Sequence, residues 1–108
     1  MTEALQILGL ARRAGAVAPG TAATRRSISQ GEARVVLMAE DASSAQLDKI
    51  RRTMRKRIIP QVLLGNRATL GAAIGKAPIT AVAVTDASLA ARLLESIDGE
   101  IMVDEGRD

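Results

Sequence analysis

The sequence predicts an α/β protein, a three-layer α/β/α sandwich with a small, mostly parallel or mixed central sheet. Three short apolar runs are typical of buried strands, namely "ARVVLMAE" (33–40), "QVLLG" (61–65) and "ITAVAVTD" (79–86). Segments with helical spacing of apolar residues separate them, and strands that alternate with helices form sheets covered on both faces. The 108 residues fit one domain, with an acidic end from about residue 99 to 108 that is expected to fray.

The first third of the chain is expected to form two helices joined by an extended piece. Apolar residues at helical spacing predict a helix over residues 2–14, which Gly15 ends. The segment "AVAP" (16–19) then forms a short extended piece that leads into a turn. Thr21 is the expected N-cap of a second helix, which closes at Gly31.

Residues 41–57 predict a longer amphipathic helix. Ser43 and Gln46 have the spacing of a capping box, in which the side chain of each residue bonds the backbone of the other. The apolar stripe expected to face the sheet consists of Leu47, Ile50, Met54 and Ile58.

Polar caps also mark the last two predicted helices. Asn66 is placed to cap a short helix over residues 67–75, and Asp86 to cap a helix over residues 87–97. The closing segment "EIMVDEGRD" (100–108) is expected to add an edge strand before the acidic end.

The composition excludes several classes of function. The chain has no cysteine and no histidine, so disulfides, thiolate metal sites and serine-histidine catalysis lack their usual residues. It has no Phe, Tyr or Trp, which argues against single-strand readers that stack bases on aromatic rings. No secretory signal begins the chain, and its apolar runs are shorter than the ~20 residues that span a bilayer. A cytoplasmic protein is therefore expected.

The charges are distributed unevenly along the chain. Residues 1–76 carry 13 basic and 5 acidic side chains, whereas residues 77–108 carry 2 basic and 7 acidic ones. A basic body with an acidic end is typical of proteins with a polyanionic partner, of which nucleic acid is the obvious candidate. A solvated surface is the alternative interpretation.

Carboxylates at the ends of two predicted strands are the first candidate site. Asp41 follows one strand and Asp86 another, and carboxylates at the carboxyl ends of parallel strands can hold Mg²⁺. Both residues also stand where helix caps belong, which explains them without a metal. A magnesium-dependent enzyme is therefore only a minor alternative.

The glycine-rich segment "GNRATLGAAIGK" (65–76) is the second candidate. It does not fit the phosphate-loop pattern, because Leu70 stands where a glycine is needed and Ala77 where a serine or threonine is needed. Its glycines are expected instead to let a helix approach the sheet closely.

The third candidate is the basic run "KIRRTMRKR" (49–57). Its outer face is expected to expose Arg51, Arg52, Arg55 and Lys56. These side chains could contact phosphates, or they could be an ordinary solvated face of a helix.

The fourth candidate is the helix start in "GTAATRRSISQG" (20–31). The N-terminus of a helix presents unpaired N–H groups and a partial positive charge, which together suit a phosphate or a base edge. Gly20 allows a partner's backbone to come close, and Arg25 and Arg26 add charge one turn further on. A well-capped helix without a ligand is the alternative.

Across about residues 5–94, the sequence resembles the ribosomal protein L7Ae, L30e and Gadd45-type superfamily, and within it the small bacterial YlxQ-like branch. The pieces that carry the resemblance are "LARRAG", the helix framed by Gly20 and Gly31, "LMAEDAS", the turn with its repeated "LG", and "AVAVTD". The resemblance implies a three-layer fold without enzymatic activity that binds structured RNA, above all the kink-turn, a bent duplex with sheared G·A pairs.

The family's kink-turn binders begin the second helix with Gly-Thr-Asn-Glu, followed three residues later by a lysine. Gly20 and Thr21 match this motif, and Arg26 stands at the lysine position. Ala22 and Ala23 replace the Asn and Glu that read the sheared pairs, so the resemblance implies weakened kink-turn specificity.

The resemblance also places the loop "IGKAPIT" (74–80) where relatives hold an extruded base. The candidate RNA-binding residues are Gly20, Thr21, Ala22, Ala23, Arg25, Arg26, Arg34, Lys76, Ala77, Pro78 and Ile79. Among them Arg25, Arg34 and Lys76 are candidates for phosphate contacts because of their charge. The expected partner is structured RNA, such as ribosomal RNA or the ribosome, with no cofactor, metal, membrane or small-molecule substrate. A protein-interaction module that has lost RNA reading, as in Gadd45-like relatives, is the alternative.

Overall fold

The computed structural model describes the backbone of residues 2–105 and the side chains of residues 3–97. Within them the helices are α1 (Thr2–Arg13), α2 (Thr21–Ser29), α3 (Ser44–Thr53), α4 (Arg67–Ala73) and α5 (Ala87–Glu105). The strands are β1 (Val17–Pro19), β2 (Val35–Met38), β3 (Gln61–Leu63) and β4 (Ala81–Val84). Helices and strands alternate along the chain as the sequence predicts, although each predicted strand is a few residues shorter than expected.

The four strands form one mixed sheet in the order β1-β4-β2-β3. β4 lies antiparallel to both β1 and β2, with Val84 opposite Val17 on one side and Val35 on the other. β2 and β3 are parallel, with Val36 opposite Gln61. Of the two expected forms, mostly parallel or mixed, the sheet takes the mixed one, because β4 runs antiparallel to both of its neighbours while β2 and β3 are parallel.

Helices cover both faces of the sheet. α1, α4 and α5 bury Leu8, Leu70 and Leu93 on one face, together with the sheet residues Val35, Leu37, Val82 and Val84. α2 and α3 bury Ile28 and Ile50 on the other face, together with Val36, Met38, Ala81 and Ala83. Successive strand residues point to opposite faces, so each strand contributes to both cores. The predicted three-layer α/β/α sandwich is confirmed.

The caps of the later helices follow the sequence. Ser43 Oγ accepts a hydrogen bond from the backbone N–H of Gln46 at 3.2 Å. Asn66 Oδ1 accepts from the N–H of Thr69 at 2.8 Å, and Asp86 Oδ1 from the N–H of Leu89 at 2.9 Å. Side chains with the right spacing therefore begin α3, α4 and α5 where they were expected to.

Three sequence-based expectations are wrong. The N-cap of α2 is Gly20, and Thr21 is the first helical residue. α3 ends at Thr53, so Ile58 leaves the apolar stripe and is fully exposed. α5 continues to Glu105, which excludes an edge strand over residues 100–105, and residues 106–108 lie outside the described residues.

We expect Ile50→Ala to lower the free energy of unfolding by about 2–5 kcal/mol, since it removes methyl groups from a closed core and leaves a cavity. Ile58→Ala makes the same chemical change eight residues later in the sequence, at a fully exposed side chain. It should leave the unfolding transition in urea unchanged. Equal losses in the two variants would contradict the end of α3 at Thr53.

Candidate nucleic-acid interface

The start of α2 and the loop that enters β4 lie side by side at one end of the sheet. The N–H of Gly20 donates to the carbonyl oxygen of Ala81 at 2.8 Å. The N–H of Ala39 donates to the carbonyl oxygen of Thr80, also at 2.8 Å. The N–H of Glu40 donates to the oxygen of Gly65 at 2.8 Å on the far side of β2. We call this end, where Gly20, Thr80, Glu40 and Gly65 form a row, the α2 end of the sheet.

The N-terminus of α2 is open. Gly20 has φ 91° and ψ 165°, and no atom lies within 4 Å of the position that a Cβ would take. No side chain caps the helix, and its first turn contains no acidic residue. The first intrahelical bond runs from the N–H of Thr24 to the oxygen of Gly20 at 2.9 Å. The N–H groups of the first turn, beside the exposed Ala22, can therefore donate to an anion or a base edge.

The two arginines of α2 differ in their surroundings. Arg25 Nε donates to Thr53 Oγ1 at 3.0 Å, and that hydroxyl donates to the oxygen of Lys49 at 3.0 Å. Arg25 is thus tied to α3. Arg26 is exposed and makes no hydrogen bond or ion pair with the part of the chain whose side chains are described. Of the two, Arg26 is the one available to a ligand.

The loop over residues 74–80 runs back along α4 to the α2 end of the sheet. The N–H of Lys76 donates to the oxygen of Gly71 at 2.8 Å, and the N–H of Ile79 donates to that of Arg67 at 3.1 Å. Along this path Lys76, Ala77 and Pro78 are exposed, and Ile79 is half-buried. The loop therefore presents one cation and a small apolar surface next to the start of α2.

Gly71 permits this close contact between the loop and α4. A Cβ at Gly71 would lie 2.7 Å from the carbonyl carbon of Ala77 and 2.8 Å from the oxygen of Lys76, and it would overlap the oxygen of Ala77. The sequence predicts that the glycines of this segment let the helix approach the sheet, but at Gly71 the close neighbour is the loop and not the sheet. A glycine inside a helix just before a candidate loop was the only sequence signal for this contact.

Arg34 is not brought to this site. Its N–H donates to the oxygen of Val84 at 2.8 Å, which places it before β2 and at the end of β4. Glu40 lies six positions later along extended chain, roughly 20 Å away at about 3.3 Å per residue. Arg34 therefore lies at the opposite end of the sheet from the start of α2.

Asp41 and Asp86, the two candidate magnesium ligands, do not lie close together. β2 and β4 are antiparallel, so Asp41 after β2 and Asp86 after β4 lie at opposite ends of the sheet. Asp41 Oδ1 accepts from the N–H of Arg67 at 2.8 Å, and its Oδ2 lies 3.5 Å from Arg67 Nε. Asp41 thus holds the start of α4 and does not cap α3. Among the described side chains, no three potential metal ligands form a group.

None of the helices, over the residues that the structure describes, combines the length and the apolar character needed to cross a bilayer.

The sequence matches the profile of the ribosomal protein L7Ae/L30e/S12e/Gadd45 family over residues 2–94. It is 36% identical over 96 residues to the RNA-binding protein YlxQ of Bacillus subtilis (strain 168), an alignment that covers 89% of this chain and 96% of that protein.

Two solved structures share the fold. A protein of unknown function from Bacillus halodurans superposes with a TM-score of 0.84 at 31% identity, covering 91% of this chain and 99% of the other. The 15.5kD RNA-binding protein of Giardia lamblia superposes with a TM-score of 0.71 at 17% identity, covering 92% and 84%. The second likeness is one of fold alone, and both agree with the three-layer arrangement.

We expect Gly71→Ala to move the loop over residues 74–80. The added methyl meets rigid backbone, so the loop must shift at a cost of about 1–3 kcal/mol in the free energy of unfolding. Amide ¹H–¹⁵N spectra should show the largest changes at Lys76 and Ala77. The control Ala72→Gly changes one methyl at the next, exposed residue and should leave the loop amides in place. A Gly71→Ala protein with unmoved loop amides and a gain of up to about 1 kcal/mol from helix propensity would contradict this contact.

Proposed function

The chain belongs to the ribosomal protein L7Ae/L30e/S12e/Gadd45 family, and from that premise we propose that it binds structured RNA without catalysing a reaction. The observation that supports this most directly is the hydrogen bond from the N–H of Gly20 to the oxygen of Ala81. It sets the open start of α2 beside the exposed loop 74–80, so both segments can contact one RNA surface. The relative from Bacillus subtilis, named as an RNA-binding protein, supports the same class of partner.

The start of α2 would contact the RNA through its backbone. The N–H groups of the first turn and the partial positive charge of the helix end favour phosphate oxygens or base acceptors. Arg26 follows one turn later, and its guanidinium can pair with a phosphate or with two acceptors on a guanine edge.

The loop would provide the apolar part of the interface. Ala77, Pro78 and Ile79 form a small surface against which an extruded base can pack, and Lys76 can contact its phosphate. The chain has no aromatic residue to stack on that base, so this contact is one of packing and shape.

The preferred RNA is a kink-turn or a segment of ribosomal RNA, bound with reduced specificity for sheared G·A pairs. Ala22 and Ala23 have neither donors nor acceptors in their side chains, so they cannot form hydrogen bonds with the base edges of a sheared G·A pair. The protein would act in the cytoplasm, in association with the ribosome, and would need no cofactor, metal or small-molecule substrate.

A protein-interaction module is the second candidate. An open groove of about 580 Å³ lies between α1 and α4, lined mainly by Leu5, Gln6, Ala68, Thr69, Ala72 and Ala73. Its small apolar side chains suit a protein contact more than an RNA backbone. A partner that stays bound after nuclease treatment of a lysate, together with no RNA binding by the purified protein, would favour this candidate.

We expect Arg26→Gln to weaken binding to a kink-turn or ribosomal RNA fragment by about tenfold or more, since one charge-assisted hydrogen bond contributes about 1.5–3 kcal/mol. Mobility-shift assays over a range of salt concentrations measure this, and wild-type affinity should fall steeply with salt. Arg13→Gln removes an equal charge from the exposed end of α1 and serves as the control. Absence of RNA binding by the wild type at low salt would refute the proposed function.

We expect the double substitution Ala22→Asn and Ala23→Glu to raise specificity for sheared G·A pairs. Ala22 is exposed and Ala23 half-buried, so polar side chains there can reach a bound RNA. Each restored base contact should favour the sheared pair over a Watson–Crick replacement by about 1–3 kcal/mol. Calorimetry with the two RNAs measures the difference.

The matched control for this gain is Ala68→Asn with Ala72→Glu, which adds the same side chains to exposed positions of α4. An equal change in the control, or no gain in the test variant, would mean that the start of α2 does not face the base pairs.

A further inference from the structure

We propose that the last turn of α3 and the turn that follows it form a second contact surface for the phosphate backbone of the bound RNA, separate from the start of α2. This α3-turn surface consists of the exposed side chains of Arg51, Arg52, Arg55, Lys56 and Ile58. The inference rests on the proposed RNA binding and extends it to a stretch of duplex beyond the kink.

The first argument is charge. Residues 49–57 contain six cationic side chains and no carboxylate. All six are exposed, and the described side chains place no carboxylate within ion-pair distance of any of them. Like charges held this close repel one another, and an anionic partner removes that cost.

The second argument is that the turn is held in place. Met54 is buried in the core beneath α2 and α3, with 5% of its surface exposed. Arg57 Nη2 donates to the oxygen of Ser29 at the end of α2 at 2.9 Å. Between these two anchors Arg55 and Lys56 face solvent, and Ile58 follows directly. The cations therefore belong to a fixed surface, so an RNA that binds it need not order a loose segment.

The third argument is position relative to the first site. Arg57 contacts the C-terminal end of α2, whereas the proposed RNA site is at its N-terminal end. The nine residues of α2 separate the two by about 12 Å along the helix axis. The exposed side chains along α2 between them include Arg25 and Arg26. A basic track thus leads from one surface to the other.

The chemistry of the surface favours RNA backbone over base reading. Guanidinium groups match the geometry of phosphate oxygens, and no aromatic side chain is present to stack on bases. Ile58 is a single, fully exposed apolar side chain beside the cations. The minor groove of an RNA duplex is wide and shallow, so such a side chain can contact ribose while the cations contact the flanking phosphates.

The test compares two charge-matched variants on three RNAs. Arg55→Gln with Lys56→Gln removes two cations from the α3-turn surface, and Arg13→Gln with Arg92→Gln removes two exposed cations from α1 and α5 on the opposite layer. The RNAs are a kink-turn with short stems and the same kink-turn with one stem extended by a helical turn, made separately for each stem.

For the wild type, we expect one extended RNA to bind more tightly than the short one. In the α3-turn variant that advantage should be lost, with about a tenfold fall in affinity for that RNA. The slope of log affinity against log salt should also fall by about two, one for each lost phosphate contact. Ile58→Ser should reduce the same affinity about threefold, a smaller effect because it removes no charge. The control pair should keep the advantage, and circular dichroism melts should show all variants folded.

Each other outcome has a definite meaning. Binding of the short RNA with Arg26 dependence, but with no difference between the two charge variants, would overturn this inference and leave the proposed function standing. No binding of any RNA by the wild type would refute the proposed function itself.

A cationic surface with an exposed apolar side chain also fits an anionic membrane. Vesicles of phosphatidylcholine and phosphatidylserine that bind the wild type and not the α3-turn variant, without any effect of stem length, would assign the surface to lipid and overturn the inference.

Discussion

β4 lies between β1 and β2 and is antiparallel to both, and this pairing decides which parts of the chain meet. The first residue of β4, Ala81, accepts a hydrogen bond from Gly20, so the start of α2 is held beside the loop that enters the strand. The same direction of β4 sends Asp86 to the opposite end of the sheet, away from Asp41. A β4 of reversed direction would bring the two aspartates together and separate the two candidate RNA-binding segments.

Local features of this fold could be predicted from the sequence, whereas strand direction could not. Ser43, Asn66 and Asp86 cap helices through bonds to a residue three positions later, and a spacing of three is visible in any sequence. The direction of β4 depends on its pairing with β2 and with β1, and β1 is a strand of only three residues. Such a short piece has no pattern of its own, and only the hydrogen bonds to β4 make it a strand.

The candidate site divides in the same way. The matching Gly20 and Thr21 and the position of loop 74–80 could be recognised from the sequence. That Asp41 holds the start of α4 depends on a contact between residues 26 positions apart. That the loop packs against Gly71 depends on the path of the chain after α4, which no pattern in the sequence shows. The sequence shows the positive charge of Arg34 but not its position in the sheet, so sequence reasoning includes it among the candidate residues.

Two arginine side chains, one in α2 and one after α3, fix the two helices to each other. Arg25 bonds Thr53 and Arg57 bonds Ser29, so two arginines tie α2 to the end of α3 above the packed side chains of Ile28 and Ile50. The two candidate RNA surfaces therefore lie on one rigid layer. When a first contact is made at one of them, the second becomes an intramolecular event without a flexible linker to order. Weak phosphate contacts at the α3-turn surface can then raise the affinity for RNA by more than the same contacts would give on their own. This requires an RNA long enough to reach both surfaces.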